Sequence, residues 1–377
     1  MNFRRTRAIA RKEFLHIVRD PRSLTLALAL PMLMILLFGW ALTLDVDRIP
    51  TVVYDADHSA QSRDLIARFE GSRYFHVLGT VSSYKPIEEE IDRNRCLLGV
   101  VIPQDYARKL LSRQESPVQI ILDGSDSNTA SIALGYANAV VQAHATEIRS
   151  AAQAQKGARR MVPPIDPRLR VWYNSDLKSK NYIVPGLIAL IMMIIASLLT
   201  SLTIAREWEM GTMEQLLSTP VRAPELVMGK MSAFFALGAI DMILTVVAGV
   251  FIFGVPLRGS VLVLAGTGCV FLIGALCWGI LLSAASRSQL LAFQVGMLTS
   301  FLPAFLLSGF VFAIETMPPV IQVVTYLFPT RYFVTILKGV FLRGVGLEVV
   351  WLEALLLLVF AAVVFMAATK RLRGKIA

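Results

Sequence analysis

Six apolar runs divide the chain, at 24–44, 183–205, 231–253, 261–285, 290–312 and 350–369, and together they carry two acids, Asp241 and Glu353, and no base. Each is roughly 19 to 25 residues long, enough to cross a hydrocarbon core as a helix. A chain with this many uninterrupted apolar runs cannot bury them all in one soluble core. Its 377 residues are 55% hydrophobic and 17% charged, with a mean hydropathy of +0.60, which places it among integral membrane proteins. The first run is preceded by NFRRTRAIARK, as a signal peptide would be. Its apolar core nevertheless exceeds the usual ~7 to 15 residues of such a segment, so it reads as an uncleaved anchor.

Lysine and arginine set the expected orientation. Arg4, Arg5, Arg7, Arg11, Lys12, Arg19 and Arg22 precede the first run, and Lys370, Arg371, Arg373 and Lys375 follow the last. Both termini are therefore expected in the cytoplasm, with 45–181 outside, 206–230 inside and 313–349 outside. The net charge of +10 is concentrated beside the apolar runs, so it reads as topology and not as a nucleic-acid surface. Cys96, Cys269 and Cys277 have no metal-ligand spacing and suggest no disulfide or zinc site.

The segment 45–181 is long enough to be a domain. IPTVVYDAD, LLGVVIP and VQIILDG read as strands closed by acids, Pro or Gly, while SAQSRDLIARFE and TASIALGYANAVVQAHATEIRSAAQAQ read as helices. A small α/β domain follows, ending in a loop around PPIDP. His58, His76 and His144 have no ligand-like spacing, and Asp123, Gly124 and Asp126 read as a turn after a strand. Near the other end, ETMPPVIQVVTYLFPTRYF has proline breaks around an apolar piece too short to span, which predicts a re-entrant or surface-lying hairpin within 313–346.

Residues 206–230, REWEMGTMEQLLSTPVRAPELVMGK, form a polar island between two runs. Gly211 interrupts the helix leaving the second run, Thr212 with Gln215 predicts a capping box for a short helix, and Pro224 with Glu225 suits the first turn of the next one. Glu207, Glu209 and Glu214 run against the basic bias of an inner loop. A rigid knob and a plain solvated loop are both open readings at this level.

Glu207, Gly211, Thr212, Glu214, Leu216, Leu217, Thr219, Pro220, Gly229 and Lys230 together resemble the hallmark of ABC-2 type transporter permeases. KEFLHIVRDPRS, FGVPLRGS, LLSGFVFAIETMPP and FPTRYFVTILKGVFLRG support the resemblance over nearly the whole chain. It is nearest to the bacterial multidrug-exporter-like branch with a large periplasmic domain. The resemblance implies a type V exporter-like fold, with six transmembrane helices and an inserted extracytoplasmic α/β domain. It also implies a permease in the bacterial inner membrane that pairs with a second permease chain, identical or paralogous, and is driven by a pair of cytoplasmic ATPase subunits. A periplasmic membrane-fusion adaptor is a further implied partner. ATP and Mg would be bound by the ATPase, since the chain has no GxxxxGK[ST] loop and no cofactor of its own is expected. Contacts to the ATPase would come from an N-terminal interface helix within 1–23, through Lys12, Glu13 and Arg19, and from the island, through Glu207, Glu209, Gly211, Thr212, Glu214, Thr219 and Pro220.

Other residues carry weaker signals. Within 3–20, Phe3, Ala10, Phe14 and Ile17 share one helical face, as in a helix lying at a membrane interface, although a simple topology-setting basic segment reads the same way. Asp241 falls mid-span, where an ionisable group costs at least ~2.5 kcal/mol unless it faces protein or water. An interhelical hydrogen bond is the plainer expectation for it, and a pathway or proton-coupled role the sharper one. Pro303 predicts a kink in the fifth run, and Gly296, Ser308 and Gly309 offer small surfaces for close approach. An intramembrane enzyme would need several reactive groups at one depth, and a sensory receptor would need a larger inner domain than these loops allow. An exporter permease for a hydrophobic or amphipathic substrate remains the expected function.

Overall fold

A computed structural model describes residues 2–42, 46–112, 114–154, 172–174, 178–286 and 288–376. The chain forms two compact units, one from Leu44–Leu169 and the other from both flanks, Met1–Thr43 with Arg170–Ala377. The end of the first apolar run at 43–44 and the loop around PPIDP lie outside the described residues.

The flanking unit begins with α1 (Phe3–Arg19) and α2 (Pro21–Ala41). Leu44–Leu169 then builds a four-stranded sheet from β1 (Ile49–Asp55), β2 (Phe75–Val81), β3 (Leu98–Ile102) and β4 (Gln119–Leu122) in the order β2-β1-β3-β4. β1 runs parallel to both neighbours, and β4 closes antiparallel on β3. Parallel strands need crossovers, supplied by α3 (Ala60–Glu70) and α4 (Lys85–Asp92), while α5 (Tyr106–Leu111) joins β3 to β4 and α6 (Ser127–Ala154) follows the sheet. Ser59 and Ser62 close a reciprocal cap on α3, each side chain accepting from the other's backbone N–H at 3.0 Å. Val53, Phe69, Leu98 and Ile102 fill the core, against which α6 lays the small buried residues Ala133 and Ala137. The three strand-like runs form β1, β3 and β4. β2 was not anticipated, because FHVLGTV is an exposed edge strand containing Gly79 and lacks a buried stripe. The register with β1 also shifts between Thr51 and Val52.

After that domain the flanking unit continues with α7 (Ser179–Glu209), α8 (Thr212–Leu217), α9 (Ala223–Val247), α10 (Val261–Ala285) and α11 (Gln289–Leu306). It ends with α12 (Pro319–Thr325), α13 (Pro329–Lys338) and α14 (Leu347–Ile376). Five helices are long and apolar enough to cross a membrane, or up to six if the bent pair of α12 with α13 counts as one. That pair turns by 87° at its break. The described apolar stretch of α2, Ala27–Ala41, is shorter than a span, so the expected six runs are not the six elements that meet the length criterion here.

α7 is the hub. It is buried almost continuously from Ile183 to Ser197 because α2, α9, α10, α11 and α13 all pack around it. Hydroxyl groups serve the helix crossings: Ser283 Oγ accepts from the backbone N–H of Ile204 and Ala205 at 2.9 Å, and Ser300 Oγ donates to Ser197 Oγ at 2.6 Å. The fifth run is shorter as a helix than expected. With Pro303 inside its last turn, α11 stops at Leu306, and the following residues are irregular. Lys338 Nζ donates to the Gly309 carbonyl there at 2.7 Å and lies 3.5 Å from the centre of the Tyr182 ring.

Candidate functional site: a clasped corner of the helical unit

Two helix starts meet at one carboxylate. Glu225, in the first turn of α9, is 1% exposed and accepts the backbone N–H of Arg222 at 3.1 Å and of Asn2, the cap of α1, at 2.6 Å. Both helix ends present unsatisfied N–H groups and partial positive charge, so one glutamate neutralises two termini. Arg5 adds a guanidinium hydrogen bond to the Pro220 carbonyl. Further along, α1 and α9 touch at Gly229, where an added Cβ would stand 2.7 Å from Cβ of Ile9 and 3.1 Å from the Thr6 carbonyl oxygen. Only hydrogen at that position allows the approach.

Beyond this notch lies a buried ion cluster. Lys230 Nζ, on a side chain 1% exposed, donates at 2.9 Å to Oε1 of both Glu13 and Glu207. Lys12 Nζ lies 3.2 Å from the same Glu207 oxygen and 3.5 Å from Glu13 Oε1. The four charges cancel while linking α1, α7 and α9. Burial by itself would raise the Glu13 carboxyl, but the Lys230 ammonium overrides it and holds Glu13 below the usual carboxylate range. Burial likewise opposes charge on Lys12, yet Glu207 and Glu13 raise its ammonium above the usual lysine value.

α8 projects from this corner. Gly211 sits in the left-handed region at φ +70°, turning the chain between α7 and α8, while Met213 is fully buried and pins the short helix to the core. The expected capping box of Thr212 with Gln215 is not formed. Gly211 occupies the cap position, and Thr212 Oγ1 instead donates at 3.4 Å to the Glu207 carbonyl, closing the end of α7.

The expected site residues divide between two settings. Lys12, Glu13 and Glu207 converge in the cluster. Gly211, Thr212 and Pro220 shape the backbone around it. Glu209 accepts from the Gln289 side-chain amide, Thr219 Oγ1 donates to the Leu216 carbonyl at 2.6 Å, and Arg19, Glu209, Glu214 and Thr219 are exposed. Glu207 is thus 7% exposed and buried in the cluster, whereas Glu209 and Glu214 face outward from it. Of the face expected on α1, Phe3 and Phe14 are 76% and 50% exposed, while the protein itself buries Thr6, Ile9 and Glu13. Asp241 does not make the expected interhelical bond: it is 3% exposed, and neither carboxylate oxygen has a partner among the described residues.

Sequence reasoning missed Lys230, Glu225, Asn2 and Arg5 as members of the site. A lysine opening an apolar run reads as a membrane-edge cation, and its two carboxylates lie 23 and 217 positions away. The local hints were the place of Lys230 in the hallmark pattern and a surplus of acids where bases are expected.

The family model described as ABC-2 family transporter protein matches residues 21–370. The chain is 38% identical to the "Probable multidrug ABC transporter permease YbhS" of Escherichia coli (strain K12), over 91% of this chain and 89% of that protein. It is 32% identical to the "Probable multidrug ABC transporter permease YbhR" of the same organism, over 90% of each. It is also 24% identical to the "Inner membrane transport permease YhhJ" of that strain, over 77% of this chain and 76% of that protein.

Proposed function

Because the chain belongs to the ABC-2 transporter family, we propose that it is the permease subunit of an ATP-driven exporter, paired with a second permease chain and powered by a separate cytoplasmic ATPase. Its place is the bacterial inner membrane, with both termini and α8 in the cytoplasm and the α/β domain outside, where it hands substrate onward to an adaptor. ATP and Mg belong to the ATPase. The substrate is a hydrophobic or amphipathic molecule of drug-like size, a reading supported by the multidrug names of two relatives.

One observation carries the coupling role: the exposed helix α8 is fixed by Gly211 and Met213 to a corner whose helices share a buried charge cluster. A push on α8 or on α1 is then delivered to α7 and α9 together and is not dissipated in a loop, as a packed two-state element requires. Glu214→Lys reverses an exposed charge at the proposed contact, and Gly211→Pro demands a negative φ where the chain uses +70°. At matched membrane expression, both are expected to lose co-purified ATPase and substrate-stimulated ATP hydrolysis. Full transport by both variants would remove the coupling role.

A further inference from the structure

A cavity of about 480 Å³ opens between α1, α7, α8 and α9, within the size range of small-molecule sites. Its α7 wall is a half-buried stripe, Leu199, Leu202, Thr203 and Arg206, following the buried stretch Ile183–Ser197. The lining changes character along that stripe. Leu199, Leu202 and Phe234 make an apolar end, and Lys12, His16 and Arg206 make a polar one. The change falls where the apolar run of α7 stops, and a lipid passes from chains to headgroup by the same kind of step.

Glu207 is one of the lining residues, and it is incompletely satisfied. Its Oε1 takes both Lys12 and Lys230, while its Oε2 is buried without a hydrogen-bond partner among the described residues. A buried carboxylate oxygen left without a donor is costly. The terminal torsion of a glutamate is broad, so a donor entering the cavity can be met by a small rotation. The lining charges also balance, with Lys12, Arg206 and Lys230 against Glu13, Asp20 and Glu207. Such a lining repels neither sign and favours a ligand with no net charge that presents both.

We propose that this cavity binds a zwitterionic phospholipid with a primary ammonium headgroup. The ammonium supplies N–H donors to Glu207, the phosphate lies toward Arg206 and Lys12, and the chains leave along Leu199 and Leu202. A quaternary ammonium has no N–H to give, so phosphatidylcholine satisfies the charge balance and not the orphan oxygen. Phosphatidylglycerol, with a net negative head, lacks the ammonium altogether. The inference does not depend on coupling to an ATPase and can be tested on the full permease chain alone.

The test is lipid retention in nanodiscs holding equal parts phosphatidylethanolamine, phosphatidylcholine and phosphatidylglycerol, followed by detergent extraction and mass analysis of the lipid that stays bound. The wild-type chain is expected to retain phosphatidylethanolamine at least fivefold over either competitor. Leu202→Trp, which fills the cavity and leaves the ion cluster intact, is expected to bring the ratio within twofold of equality at an unchanged melting temperature. Glu207→Gln should lower it as well. Free phosphoethanolamine, a head without chains, is expected not to displace the lipid, and displacement would overturn the amphiphile assignment. Equal retention of the three lipids, preference for phosphatidylglycerol or phosphatidylcholine, or undiminished enrichment in Leu202→Trp would each overturn the proposal.

Discussion

Lys230 and Glu13 stand 217 positions apart in the chain, and their side chains meet at 2.9 Å in a setting that excludes almost all solvent from the lysine. The basic segment before the first apolar run is thereby part of the folded helical unit. A buried charge that loses one partner leaves the others uncompensated, a loss of about 3–5 kcal/mol.

Lys230→Met is therefore expected to lower the thermal midpoint of the purified permease strongly, because it leaves Glu13 and Glu207 with only the more exposed Lys12 between them. Adding Glu13→Gln and Glu207→Gln should recover much of the loss. Melting of the single and triple variants in the same detergent checks this; equal losses in both would show that the lysine acts through packing and not through charge.

Gly229→Ala places a methyl group 2.7 Å from Cβ of Ile9. The helices must separate, at a cost of about 1–3 kcal/mol. Ile9→Ala removes the neighbouring Cγ2 but keeps Cβ, so it should rescue only in part. Protease sensitivity of the arginine-rich α1 in membranes is the readout, and it should rise in Gly229→Ala and fall partway back in the double variant.

The two units should answer acid differently. Glu13 is held below its ordinary value of 4.5, so its contribution is complete above that value and is lost as pH falls below it. Clasping of α1 should accordingly be flat from pH 8 to 5. His144, buried on α6, has its imidazole lowered from 6.5 by burial, an effect that Asp64 at 3.6 Å only partly opposes. The unfolded state then binds the proton first, and the α/β domain loses stability as pH falls from 6.5 toward the lowered value. His144→Leu should abolish that slope in hydrogen exchange of β1 and β3 between pH 7 and 5, leaving α1 protection unchanged.

Asp241 adds a polar group to the core without a bond to show for it. Asp241→Val removes an unpaired carboxyl at little change of volume, and the expected melting temperature is equal to or above that of the wild type. A marked drop would mean that the carboxyl has a partner in the assembled transporter.

How much of this was legible follows from the range of each signal. Four of the apolar runs and the Gly211 break are local, and α7, α9, α10, α14 and the left-handed turn stand where the sequence placed them. The span count is less so, because Pro303 ends α11 early and the prolines around 318–329 split another apolar stretch into two helices at 87°. β2 escaped because an exposed edge strand has no hydrophobic stripe to read. The clasp escaped for a different reason. Asn2 with Glu225, Ile9 with Gly229 and Glu13 with Lys230 are pairings between distant positions, and no spacing rule within one helix connects them. Of the residues expected to touch an ATPase, the sequence could name the acids but not sort the buried Glu207 from the exposed Glu214.

The shared carboxylate of Glu225 also imposes an order on biosynthesis. The α1 segment leaves the ribosome before α9, carrying an acid that needs Lys230 and a helix start that needs Glu225, and 223 residues separate the two halves of that last bond. At about 5–20 residues per second, the wait is roughly 10 to 45 seconds. During that interval α1 is an unmatched basic helix near the membrane surface, open to proteases and to insertion machinery. Capture of α1 needs the start of α9, so a chain interrupted before Glu225 leaves α1 unclasped.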